Sequence, residues 1–226
     1  MQSRKPGKHW SMTNPFRRAV CLLVIPICFQ LSGKAGNVDQ VVHLLEGKYQ
    51  ALKSFSATFR QRYENAEQVI EESGVLIIKK PGKMYWEYQK PAPKYFLVDG
   101  RKSWFYVPAD KQVIVTNLQD EASTPLMLLF GKGDLRSDFQ VQEETEQAPR
   151  VAGNWLLRLV PRTPQGDFAY IVLEIDPGTS IISRLLVVEP IGARNEYVFS
   201  DIVENRKVSD KVFKLRLPSD VEIVEQ

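Results

Sequence analysis

Residues 76–115 read LIIKKPGKMYWEYQKPAPKYFLVDGRKSWFYVPADKQVIV, and this stretch decides the fold class. Eight of the 23 residues from Met84 to Tyr106 are aromatic: Tyr85, Trp86, Tyr88, Tyr95, Phe96, Trp104, Phe105 and Tyr106. Met84, Trp86 and Tyr88 alternate with Tyr85, Glu87 and Gln89, the period of two that a strand imposes. Pro81-Gly82 marks a turn, and Pro91 and Pro93 break the run. Asp99-Gly100, set between two aromatic runs, is a strong hairpin signal. Aromatic strands of this kind build either a sheet core or the wall of an apolar cavity. Alternation alone leaves both readings open.

The flanks extend the pattern. Upstream, residues 37–53 form an amphipathic helix, with Val38, Val41, Val42, Leu45, Tyr49 and Leu52 at three- and four-residue spacing. Such a helix packs on a sheet or covers a cavity, and its stripe is the same in both. From Phe55 the period becomes two: Phe55, Ala57, Phe59, Gln61 and Tyr63 share one face, as do Leu76, Ile78 and Lys80. Downstream, residues 124–130 (TPLMLLF) read as a short apolar helix opened by Pro125. Strands are expected over 138–142, 154–160, 168–175, 181–188, 195–203 and 211–217. The whole is one mainly antiparallel sheet with a few short helices, large enough to curl.

The first 35 residues stand apart. They hold six basic residues and no acidic one, then an apolar run from Ala19 to Leu31 after Arg17-Arg18. That run is too short for a span of roughly 20 residues. With the small-residue exit Gly33-Lys34-Ala35 it reads as an export signal cleaved after Ala35, with Met12 as an alternative start. Of the chain's 30 basic residues 24 then remain, against 27 acidic, which removes the charge basis for nucleic-acid binding. Cys21 and Cys28 leave with the signal, so no disulfide or thiolate remains. Residues 36–226 are expected to form one domain.

Reactive groups are sparse. His43 alone remains among histidines after residue 35, on a helix where a surface role is ordinary. Gly131-Lys132-Gly133 lacks the hydroxyl residue of a phosphate-binding loop. Glu143-Glu144-Thr145-Glu146 reads as a solvated acidic run. No residue set earns a catalytic role. Lys80 is the polar position of interest: it continues the Leu76–Ile78 face, so its amine either meets acceptors such as helix C-terminal carbonyls or turns to water.

The order helix, SFSATFRQRY (54–63), GVLIIKKPGKMYWEY (74–88), FLVDGRKSWFYVP (96–108) and TPLMLL (124–129) resembles the periplasmic outer-membrane lipoprotein carrier family, LolA, over about residues 37–135. The resemblance implies a curved, unclosed antiparallel β-barrel of about 10–11 strands under a helical lid, in the periplasm, as a monomer. It implies a concave face that holds the acyl chains of lipoproteins. These come from an inner-membrane lipoprotein-releasing ABC transporter and go to an outer-membrane lipoprotein receptor, with no cofactor, metal or enzymatic step. Met84 and Trp86 match cavity positions, and alternation adds Phe55, Phe59, Leu76, Ile78, Tyr88 and Leu97. Leu45, Tyr49, Leu126, Met127 and Leu129 fall on the lid. The family's lid latch is an Arg before the Pro; here Lys80 stands there, a compact ammonium in place of a planar fork.

Two other classes stay open on sequence. A lipid-sensing or receptor-type barrel would share the shape, although the signal lacks the lipobox of a receptor. A secreted glycan-binding or hydrolytic β protein would expose its rings on a flat face, whereas a carrier turns them inward beneath helices.

Overall fold

Alternation organises the chain into a sheet that wraps around its first helix. The computed structural model describes residues 38–117, 135–163 and 168–225, all within one compact unit, residues 34–226. Helix α1 (Val38–Ala51) is followed by β1 (Ser54–Glu64), β2 (Val69–Lys79), β3 (Lys83–Lys90), β4 (Lys94–Val98), β5 (Lys102–Val107) and β6 (Gln112–Asn117). A one-turn helix, α2 (Leu135–Asp138), leads into β7 (Phe139–Glu143), β8 (Trp155–Pro161), β9 (Tyr170–Ile175), β10 (Ile182–Val188), β11 (Arg194–Glu204) and β12 (Glu222–Glu225).

Among the described residues these twelve strands make one sheet in the order β12-β6-β5-β4-β3-β2-β1-β11-β10-β9-β8-β7. The ends β12 and β7 do not meet, so the sheet is curved but unclosed. Neighbours pair antiparallel except β12, which runs parallel to β6 and places Ile223 opposite Val113. The sequence leads to about 10–11 strands and puts one over 211–217. That segment carries a short 3-10 turn (Asp210–Phe213) and then unpaired chain. Its Leu215 and Leu217 pack on Tyr106, Val113 and Val115 on the outer side of the sheet. The period of two is real there, but it serves side-chain packing rather than a backbone ladder.

Local chemistry sets the turns. In the β4–β5 hairpin Gly100 takes φ +103°, and Asp99 Oδ1 accepts from the backbone N–H of Arg101 at 2.8 Å and of Lys102 at 2.9 Å. Gly74 lies at an irregularity of the β2–β3 ladder, where an added Cβ would stand 1.8 Å from the Glu87 carbonyl oxygen. Only glycine lets the strands close there.

The concave face carries the main core. Val41, Val42, Leu45 and Tyr49 of α1 pack with Phe55, Phe59, Leu76, Ile78 and Met84 from one half of the sheet, and with Leu157, Leu173 and Leu185 from the other. One cluster drawn from strands so far apart in the order requires a strongly curved sheet. The outer face of the second half is different. There residues 144–154 cross over Glu174 and Arg184, which are 1% and 4% exposed. Glu174 accepts from the backbone N–H groups of Arg150 and Val151, both at 2.9 Å, and from Arg184 Nε at 2.9 Å. Glu144 is also buried and pairs with Arg158 Nε at 2.7 Å. The solvated reading of the 143–146 run holds for Glu143, Thr145 and Glu146, which are exposed, and is corrected at Glu144 alone, whose partner lies on another strand with no local signal.

Candidate lipid-binding site

Sheet register ranks the concave face in rows. Phe55 pairs with Ile78 and Ile78 with Met84; Ala57 pairs with Leu76 and Leu76 with Trp86; Phe59 pairs with Gly74 and Gly74 with Tyr88. All the large side chains here are buried, Phe59 and Leu76 at 0% exposure and Trp86 at 1%. Trp86 meets Phe59 edge-on at 4.7 Å between ring centroids, Tyr197 at 5.4 Å and Phe199 at 6.4 Å. The rings on this face therefore point inward, under α1.

Leu97 is a correction. It pairs with Tyr85 and Trp104 and so faces the outer side; Val98 and Phe96 stand opposite Met84 and Trp86. Both phases of β4 are apolar, so local alternation does not say which of them is concave. Residues from the second half, Tyr197, Phe199 and Leu157 among them, complete the face. Alternation in 195–203 is the signal for Tyr197 and Phe199, although nothing in it says which face is concave. Leu126, Met127 and Leu129 lie outside the described residues.

Leu45 and Tyr49 are each 3% exposed beneath α1. Several polar bonds among the described residues hold this helix in place, the Arg136–Asp39 pair at 2.6 Å included. The Tyr49 hydroxyl accepts from the Ile182 N–H at 3.2 Å, and burial raises its pKa well above the ordinary tyrosine value. Lys48 Nζ pairs with Glu204 at 2.7 Å, and Glu46 accepts from the Leu135 N–H at 3.1 Å. At the C-terminus of α1 the Lys80 ammonium donates to the carbonyl of Tyr49 and, at 3.4 Å, to that of Gln50. Those oxygens have no partner within a helix that ends at Ala51, and a cation there suits the helix dipole. Burial lowers the Lys80 pKa.

Beyond Phe59 the same face turns polar. Gln61 Nε2 donates to Asn195 Oδ1 at 2.9 Å, and Asn195 Nδ2 donates to the Tyr197 hydroxyl at 3.2 Å. Burial raises the Tyr88 pKa and pushes Tyr197 up to about 12. Lys94 Nζ pairs with Glu72 at 2.6 Å and lies 4.3 Å over the Tyr88 ring. The face is thus apolar at the Lys80 end and hydrogen-bonding at the other. Among the described residues no group of three or more metal-ligating side chains is found.

An open, curved sheet with an apolar concave face packed under an amphipathic helix defines an unclosed half-barrel. The family described as outer membrane lipoprotein carrier protein LolA matches residues 50–216, and the chain belongs to that family. An outer-membrane lipoprotein carrier protein of Hahella chejuensis is 26% identical over 201 residues, 87% of this chain and 91% of its own length. One of Psychromonas ingrahamii is 30% identical over 187 residues, 81% and 86% of the two chains. An uncharacterized conserved protein of Thermus thermophilus shares the fold at TM-score 0.55 and 13% identity, over 83% of this chain and 98% of its own.

Proposed function

We propose that this protein carries outer-membrane lipoproteins through the periplasm, enclosing their acyl chains between α1 and the concave face. Residues 1–35 act as the cleaved export signal and 36–226 as the carrier domain. The observation that carries this reading is the apolar face from Phe55 to Trp86 packed under the apolar stripe of an amphipathic helix. Each buried methylene is worth about 0.8 kcal/mol, so acyl chains need a shield in water. A helix that closes on the empty face competes with cargo and lowers net affinity, which favours release. Phe55, Phe59, Leu76, Ile78, Met84, Trp86 and Tyr88 form the acyl-binding wall, Leu45 and Tyr49 the lid, and Lys80 its latch.

The monomeric carrier loads from a lipoprotein-releasing ABC transporter in the inner membrane and delivers to an outer-membrane lipoprotein receptor. It performs no covalent step and uses no cofactor. The purified protein is expected to bind a hydrophobic fluorescent probe that a long-chain acyl ligand displaces. Depleting it in its host is expected to stall lipoproteins at the inner membrane. Lipoproteins that still reach the outer membrane after depletion would sink the reading.

A further inference from the structure

Two buried polar atoms on the concave face have no hydrogen-bond partner among the described residues: Nε1 of Trp86 and Oε1 of Gln61. An indole N–H withdrawn from water without an acceptor is destabilising, and buried polar groups are ordinarily paired. The surroundings of Trp86 explain why the described residues supply no acceptor. Across the ladder it faces Leu76 on one side and Phe96 on the other. Phe59 and Phe199 pack against it and carry no acceptor. The Tyr197 hydroxyl already accepts from Asn195 Nδ2 at 3.2 Å.

The position of the orphaned donor is informative. Trp86 stands where the apolar rows give way to the polar one, between Met84 on the one side and Tyr88 on the other. A hydrocarbon chain lying among Phe55, Ile78 and Met84 would bring its head group to this boundary. We infer that Trp86 Nε1 donates to the carbonyl oxygen of an acyl ester or amide, so that the face reads the head of the acyl chain as well as its hydrocarbon. Gln61, two residues beyond Phe59 on the same face, keeps an acceptor that the N–H of an amide-linked chain would fill and an ester would not. The inference rests on the carrier reading and assigns the polar part of the ligand within it.

The test compares a long-chain fatty-acid methyl ester with the alkane of equal length, which carries no acceptor, each displacing a hydrophobic probe from the purified protein and from the Trp86→Phe variant, which keeps an aromatic ring and removes the donor. Whatever the substitution does to both ligands through the wall, it should weaken the ester about tenfold more than the alkane, the value of one hydrogen bond made to a buried donor. On the unsubstituted protein with 15N-labelled tryptophan, the Trp86 indole N–H resonance should move downfield with the ester and not with the alkane. This readout stands even if the variant folds poorly. Equal weakening of ester and alkane, or no downfield movement of the Trp86 resonance with the ester, overturns the subsite alone. Displacement by neither ligand overturns the carrier reading with it.

Discussion

Lys80→Leu removes the ammonium that meets the last carbonyls of α1 and leaves a shorter, apolar side chain. The lost contacts are the bonds to the Tyr49 and Gln50 carbonyls. Hydrogen bonds from a charged donor contribute about 1.5–3 kcal/mol, and a cation at a helix C-terminus about 0.3–1 kcal/mol. Burial lowers the Lys80 pKa, so desolvation offsets part of that gain. Water also replaces the amine at a partly exposed site. The net loss is then about 1 kcal/mol, or about fivefold in the equilibrium between docked and undocked helix. Amide hydrogens of α1 should exchange about fivefold faster, with those of β9 and β10 unchanged. If the docked helix competes with cargo, probe affinity should rise by up to the same factor. Lys80→Arg, with its planar fork, should restore or exceed the original protection. Unchanged α1 exchange together with unchanged probe affinity in the Leu variant would remove Lys80 from the closing mechanism.

Three further outcomes are expected. Tyr49→Phe leaves the Ile182 N–H without its acceptor and should cost about 1–2 kcal/mol of stability by denaturant unfolding; no loss would mean that the hydroxyl bond is dispensable. Gly74→Ala drives a Cβ into the Glu87 carbonyl and should lower Tm by an amount matching about 1–3 kcal/mol or more, whereas wild-type stability would show that the β2–β3 ladder gives way freely. On the outer face, burial would raise the carboxyls of Glu174, Glu196 and Glu144. Hydrogen bonds from Arg150, Val151, Asn154, Arg184 and Arg158 outweigh it and hold all three below the ordinary 4.5. Groups with depressed folded pKa values bind protons more readily when unfolded, so their stabilisation is complete above about pH 4.5 and disappears as pH falls through the lowered values. Tm should therefore drop with acid below that point, and Glu174→Gln should flatten the drop; an unchanged acid profile in that variant would exclude the network as its source.

The aromatic β3–β5 region was legible because its information is local. Period two in MYWEY, a proline-glycine turn and an Asp-Gly hairpin each act over a few residues. The polar counterpart of this region was less so. Glu144 is buried against Arg158 on β8, and nothing in an acidic run of four announces a distant arginine. Leu97 lost its face because β4 is apolar on both sides and a one-residue shift of register reverses every side chain. Leu215 and Leu217 show strand spacing without a strand, since packing on Tyr106 and Val113 rewards alternation as a ladder does.

From the sequence alone came the β class, the amphipathic first helix, the turns, the expectation of an export signal and the family likeness carried by Lys80-Pro81 and the aromatic hairpin. These depend on neighbours in the chain. The tertiary structure decided which phase of each strand is concave, that β11 closes on β1 to bring Tyr197 and Phe199 to Trp86, and that Lys80 meets the carbonyls of α1. It also left the Trp86 N–H without an acceptor. Each of these depends on contacts between residues far apart in sequence, set by the curvature of the whole sheet, and no short-range pattern encodes that curvature.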